Sequence, residues 1–327
     1  MTWDYHAPRW LPGGHAQTIH AALWARRFVQ AAPRWRRERW EAPDADFIDV
    51  DWLMPAPADQ RSEAPPLLVL FHGLEGSSRS HYAQAFADHV GRLGWAMAVP
   101  HFRGCSGEIN RAPRAYHSGD HQEIAWILAR MRAHHAGKLY ALGVSLGGNA
   151  LLRWAEEAGA SARQTAQAVC AVCSPIDLTA SGHAIGQGLN RQIYTRMFLR
   201  SMKPRALQKW AQYPGLFDRE ALLAAQDLYD FDNVFTAPLH GFRNTDDYWA
   251  RASAKPHLAA IRLPALVLNA RNDPFVPSAS LPAQAPAGDW VTLWQPQDGG
   301  HVGFPQGAFP GDILALPQAV ATWLHAQ

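Results

Sequence analysis

The stretch Lys138-Leu-Tyr-Ala-Leu-Gly143-Val-Ser145-Leu-Gly147-Gly-Asn149-Ala-Leu-Leu152 decides the fold. Its first half is a short apolar run, the pattern of a strand buried on both faces. Its second half, continued through residue 158, sets Leu151, Trp154, Ala155 and Ala158 on one helical face and stops at Gly159. Between the two lies Gly143-Val-Ser145-Leu-Gly147. A serine there sits on a strained strand-to-helix corner, and small residues two before and two after it relieve the backbone crowding. The helix that follows aims its first amides and its positive dipole end at the hydroxyl. As a bare pattern GxSxG is weak; the strand before it and the helix after it give it meaning.

Outward from this corner, apolar runs alternate with helical stretches, which predicts a mostly parallel sheet covered on both faces. Strands are expected at 67–71, 95–102, 138–144, 166–173, 263–270 and 290–295, and helices at 82–93, 120–134, 146–158 and 311–325. A β-like run at 47–53 is expected to form an antiparallel edge. Residues 178–262 are rich in aromatic residues and helical spacing, and they are too many for a structureless loop. They are expected to form a helical cap over the C-terminal edge of the sheet, where open α/β folds bind ligands. The expected division is a core of residues 1–177 and 263–327 and a cap of 178–262.

A chain of 327 residues buries a full core without disulfide or metal staples. The formal charge of +2, from 30 basic and 28 acidic residues, is too balanced for a dedicated nucleic-acid binder. The longest aliphatic and aromatic run, Leu67–Phe71, is far short of a membrane span. The opening residues MTWDYHAPRW carry no basic or apolar leader region, so the expected address is cytoplasmic. The one local excess of charge lies within residues 24–40, where six arginines interleave with Trp24, Trp35 and Trp40. It reads either as a surface for acidic headgroups or RNA, or as a solvated face whose tryptophans pack inward. Cys170 and Cys173 form a CxxC, but inside an apolar run they read as buried strand residues.

A serine at its free pKa is a poor nucleophile and needs a histidine base oriented by a carboxylate, here in the chain order Ser, acid, His. Asp273 follows the 263–270 strand in Asn272-Asp273-Pro274, and His301 follows the last strand in Gly299-Gly300-His301. Asp177 is the rival acid, and Asp298 is too near His301 in sequence to be favoured. Two amides must face the developing oxyanion. Leu146, just past the serine, and Leu74, in His72-Gly73-Leu74-Glu75-Gly76, are the candidates, with the His72 ring expected to hold the loop. His117, His121, His134 and His135 lack metal-ligand spacing, and no phosphate-cradling glycine motif is present. Arg103 reads as either an anion ligand or a loop-fixing ion pair.

These motifs carry a resemblance. Leu11-Pro-Gly-Gly-His15-Ala-Gln17-Thr18, His72-Gly-Leu-Glu-Gly-Ser77-Ser78, His101-Phe-Arg103-Gly-Cys-Ser106-Gly, Gly143-Val-Ser-Leu-Gly-Gly-Asn149, Tyr229-Asp-Phe-Asp232 and Asn272-Asp273-Pro resemble the α/β-hydrolase superfamily. More narrowly, they resemble its ABHD1/ABHD3-like (YheT/EMB8) branch. The resemblance implies an α/β-hydrolase fold with a sheet of about eight mostly parallel strands flanked by helices, and a helical cap. It implies Ser145, Asp273 and His301 as a catalytic triad, with the Leu74 and Leu146 amides as the oxyanion hole. It implies hydrolysis of small acyl esters of short to medium chain through an acyl-enzyme, with no metal or organic cofactor. An acyltransferase delivering the chain to an alcohol, or a non-catalytic ligand-binding relative, would share the same residues. Many eukaryotic relatives carry an N-terminal membrane anchor that these residues do not resemble, which argues against membrane-resident lipid as the substrate; no membrane span is expected, with peripheral lipid contact left open.

Overall fold

The computed structural model describes residues 3–54 and 64–327; Met1 and Thr2, the start of the stretch in which no leader is expected, lie outside it. Its strands are β1 (Trp35–Glu41), β2 (Phe47–Leu53), β3 (Leu67–Phe71), β4 (Ala96–Pro100), β5 (Leu139–Val144), β6 (Ala168–Val172), β7 (Ala265–Leu268) and β8 (Val291–Trp294). They form one eight-stranded sheet in the order β1-β2-β4-β3-β5-β6-β7-β8. β2 pairs antiparallel with both β1 and β4, and every other pairing is parallel. The longer helices are α1 (Gly14–Leu23), α2 (His81–Arg92), α3 (His121–His134), α4 (Leu146–Ala158), α5 (Leu178–Ile185), α6 (Arg196–Gln212), α7 (Thr245–Ala252) and α8 (Ala315–His325).

The central strands are apolar throughout because both faces are covered. In β3, Leu67, Val69 and Phe71 point into a core shared with Ile124 and Ile127 of α3 and Leu151 and Trp154 of α4. Leu68 and Leu70 point the other way, against Phe86 and Val90 of α2 and Val320 and Leu324 of α8. This period-two split fixes the register, since a slip of one residue would exchange the faces.

Two expectations need correction. The last helix starts at Ala315, not at residue 311. The preceding residues are drawn into backbone pairing instead: Asp312 exchanges hydrogen bonds with Gln306, and Ile313 donates to the Arg26 carbonyl. The arginine-rich stretch near residues 24–40 supplies an edge strand, β1, that apolar periodicity does not reveal. Arg37 meets Asp51 at 2.7 Å and Arg39 meets Asp49 at 2.7 Å across the β1–β2 ladder. Trp40 packs inward, whereas Trp24 stands 62% exposed.

The same edge carries an acid sensitivity. Burial alone would raise Asp46, but hydrogen bonds from Asn110, the Arg111 and Phe47 amides and Arg103 overcome it and hold the carboxyl at about 2. A carboxyl depressed in the fold contributes stability above its ordinary value of 3.8, and loses it as pH falls towards about 2. Thermal midpoints measured downward from about pH 5 should therefore fall less steeply for Asp46→Asn than for wild type. Equal slopes would remove Asp46 as a source of the acid sensitivity.

Between β6 and β7 the chain forms helices and turns but no strand. Ile185, Tyr194, Leu199, Met202, Phe217 and Phe235 of this stretch cluster with Phe275 and Val276 from the loop after β7. Among the described residues no helix is long and apolar enough to cross a membrane.

Candidate active site

Ser145 caps α4 directly after β5, with φ 53° and ψ −121°. That conformation is costly for a residue with a Cβ, and it persists because the surroundings fix it. The Ser145 amide donates to the Val172 carbonyl at 2.8 Å, tying the corner to β6. The flanking glycines are required by close approach. A Cβ on Gly143 would lie 2.4 Å from the Gly147 carbonyl oxygen, and one on Gly147 would lie 2.5 Å from the carbonyl oxygens of Phe71 and His72.

Asp273 lies in the turn after β7. Its Oδ1 accepts from the Phe275 amide at 2.8 Å, which leaves Oδ2 facing His301 Nδ1 at 2.9 Å. His301 Nε2 lies 3.0 Å from Ser145 Oγ. With Nδ1–H donating to the carboxylate, Nε2 carries the lone pair that accepts the serine hydroxyl proton. Asp273 and His301 are both buried, and the Phe275 ring lies over the imidazole at 4.1 Å between centroids. Asp177, the rival acid, instead caps α5 through the Ala180 amide and pairs with Lys255 at 3.2 Å. Asp298 accepts from Asn272 at 3.1 Å.

Leu74 and Leu146 line the same cavity as Ser145. Among the described residues no acceptor takes the amide hydrogen of either. The turn carrying Leu74 is pinned on both sides. Gly73 N donates to the Tyr82 hydroxyl at 2.9 Å, and Glu75, at φ 59°, donates its amide to the Tyr116 hydroxyl at 3.0 Å. Tyr116 returns its proton to Glu75 Oε1, which also takes Arg205 of α6 at 2.8 Å. His72 accepts from the Phe102 amide on Nε2 and donates from Nδ1 to the Gly73 carbonyl, so its ring holds the loop. Burial pushes this ring down to about 3, and it stays neutral. Arg103 is spent in ion pairs with Asp44, Asp46 and Glu123. Burial likewise lowers His117 to about 3, and its ring packs on His240 at 4.5 Å rather than joining His121.

Sequence reasoning missed the buttress behind the histidine. Gln17 of α1, fully buried, accepts from Gly299 N at 2.8 Å and from Asn272 Nδ2 at 2.9 Å. Thr18 Oγ1 accepts from the His301 amide at 2.8 Å. Both belong to the His15-Ala-Gln17-Thr18 motif, whose recurrence in the resemblance was the only signal. Cys173 was also missed as a neighbour. Its sulfur lies with the Asp273 and His301 ligand atoms inside 4.8 Å, where it accepts from the Val302 amide at 3.3 Å. Burial, foremost, and Asp273 raise its thiol well above the ordinary value, so it is not a thiolate.

Beyond the serine the cavity encloses about 140 Å³, walled by Ile185, Phe198, Met202, Phe231, Phe235 and Phe275. It can take a short apolar chain with one polar end at Ser145.

Residues 66–308 match the family model of the alpha/beta hydrolase fold. The chain is 36% identical to the Escherichia coli protein YheT, named as an esterase, over 95% of this chain and 89% of that one. It is 26% identical to the human phospholipase ABHD3 over 100% of this chain and 80% of that one. It is 27% identical to the monoacylglycerol lipase of Saccharomyces cerevisiae over 82% of this chain and 59% of that one. Among solved structures, the Pyrococcus furiosus esterase Pf2001 superposes with a TM-score of 0.54 at 15% identity, covering 90% of this chain and 93% of that one. A likeness at that identity speaks to the fold alone. By sequence and by architecture, the chain belongs to the α/β-hydrolase fold family, in the branch of YheT and ABHD3, and is a carboxylic-ester hydrolase of the esterase and lipase type.

Proposed function

We propose that the protein is a serine esterase for acyl esters of short to medium chain, working through an acyl-enzyme on Ser145. The observation that carries this is the hydrogen-bonded row Ser145 Oγ, His301 Nε2, His301 Nδ1, Asp273 Oδ2, with steps of 3.0 Å and 2.9 Å. His301 takes the Ser145 proton as Oγ attacks the ester carbonyl carbon. The carbonyl oxygen becomes an oxyanion held by the Leu74 and Leu146 amides, each worth about 3 kcal/mol of barrier. The tetrahedral intermediate collapses, the C–O bond to the alcohol breaks, and His301 gives that oxygen the proton. Water then enters, loses a proton to His301, attacks the acyl carbon and releases the acid, and Ser145 recovers its proton. Asp273 steadies the imidazolium in both halves and stays ionised.

Residues 178–262 act in this scheme as a cap, with 1–177 and 263–327 as the core. Support comes from the acyl cavity, whose walls Ile185, Phe198, Met202, Phe231 and Phe235 all belong to that stretch. A volume of about 140 Å³ resembles engineered cavities that hold benzene, so about six carbons fit without displacement of a wall. In a p-nitrophenyl ester series from acetate to palmitate, kcat/KM should peak at butyrate to octanoate and decline beyond. A rate still rising at palmitate would overturn the short-to-medium assignment. With ethanol added, free acid should remain the main product; predominant ethyl ester would mark a transferase instead.

A further inference from the structure

Residues 178–217 contain no aspartate or glutamate, yet they carry Arg191, Arg196, Arg200, Lys203, Arg205 and Lys209 in a chain whose net charge is only +2. Two of these six face inward: Arg205 meets Glu75, and Lys209 donates to the carbonyls of Asn110 and Ala112. The other four line an open groove of about 610 Å³ together with Gln192 and Leu199. The side chains of Arg196 and Arg200 make no ion pair or hydrogen bond among the described residues, whereas Arg191 donates to Gln226 Oε1 and Lys203 Nζ to the carbonyls of Leu223 and Ala225. Beside them, Leu189 is 54% exposed, Ile193 36% and Met197 54%.

The spacing makes these one surface. Arg196, Met197 and Arg200 share one face of α6, and exposed Leu189 and Ile193 lie on the turns that lead into it, residues 191–195 being a π-helical turn. Arg205, Ala206 and Lys209 follow Arg196, Met197 and Arg200 by nine residues, half a rotation round the axis of α6, and with Phe198 and Met202 they line the acyl cavity. α6 and the turns that lead into it are therefore a partition, with a basic and apolar outer face and a cavity wall behind it.

We infer that this outer face docks on an anionic phospholipid surface. A nucleic acid or acidic peptide would satisfy the arginines and leave Leu189, Ile193 and Met197 in water. An apolar protein partner would bury four cations without counter-charge, which is costly. A bilayer with anionic headgroups supplies phosphates at the level of the arginines and hydrocarbon just below for the apolar side chains. Docking there brings the wall of the cavity against a reservoir of acyl chains. The proposal goes beyond the ester-hydrolase reading and does not require Ser145 to be the nucleophile.

The test is sedimentation of the full chain with vesicles of phosphatidylcholine alone and of phosphatidylcholine with about one part in three phosphatidylglycerol. Wild type should sediment with the anionic vesicles, more weakly as salt rises, and should ignore the neutral ones. Arg196→Glu with Arg200→Glu should abolish that binding, and Ile193→Ser with Met197→Ser should weaken it about tenfold or more. Both double variants should hydrolyse a soluble p-nitrophenyl ester at the wild-type rate. Failure of wild type to sediment, or equal sedimentation with neutral vesicles, would overturn the proposal. So would a loss confined to the charge variant with duplex DNA bound equally well, which would identify a polyanion site.

Discussion

Ser145→Ala is expected to lower kcat for p-nitrophenyl butyrate by about 10⁴ to 10⁶, and His301→Ala by a similar factor. The double variant should be no worse than either single, because the two groups act as one unit and removing either leaves only the amide donors and substrate binding. Folding should survive both changes. Among the described residues the Ser145 hydroxyl hydrogen-bonds only with His301, and alanine retains the Cβ that the corner already tolerates at φ 53°. Labelling by a fluorophosphonate should vanish in Ser145→Ala. A loss of less than tenfold in either single variant, in protein that melts as wild type does, would refute the role of that residue.

Gln17→Leu is expected to damage stability and turnover together. Leucine keeps the volume but leaves the buried donors of Gly299 and Asn272 without their shared acceptor, now at 2.8 Å and 2.9 Å. Each orphaned donor costs about 1–3 kcal/mol, so a loss of about 2–5 kcal/mol is expected in urea unfolding. Those donors flank His301 and Asp273 in the chain. A shift of about 1 Å in the imidazole can cost on the order of 10²-fold in rate, so kcat should fall with KM little changed. Stability lost with turnover intact would reduce Gln17 to a packing residue, and neither effect would remove the buttress altogether.

The parallel core was legible because its strands are buried on both faces and so appear as unbroken apolar runs. Their ends were overestimated where apolar loop residues such as Phe102 and Ala270 continue the run past the last ladder pair. β1 was not legible, since its alternating arginines are explained only by Asp49 and Asp51 on the neighbouring strand. Of the candidate site, Ser145, Asp273 and His301 could be chosen because each follows a strand at the rim where open sheets expose their loops. The Gln17 and Thr18 contacts could not be, because nothing local in a ten-residue helix announces a partner more than two hundred and fifty positions away. Arg205 and Glu75 escaped for the same reason: an ion pair between α6 and the turn after β3 depends on how the inserted helices settle.

The α1 buttress also sets a timetable. A ribosome releases Gln17 more than two hundred and fifty residues before Asn272, Gly299 and His301. Until those residues emerge, α1 has nothing to clasp and the Ser145 corner stands apart from the His301 ring. On the proposed mechanism, a nascent chain stalled before residue 301 should be chemically silent.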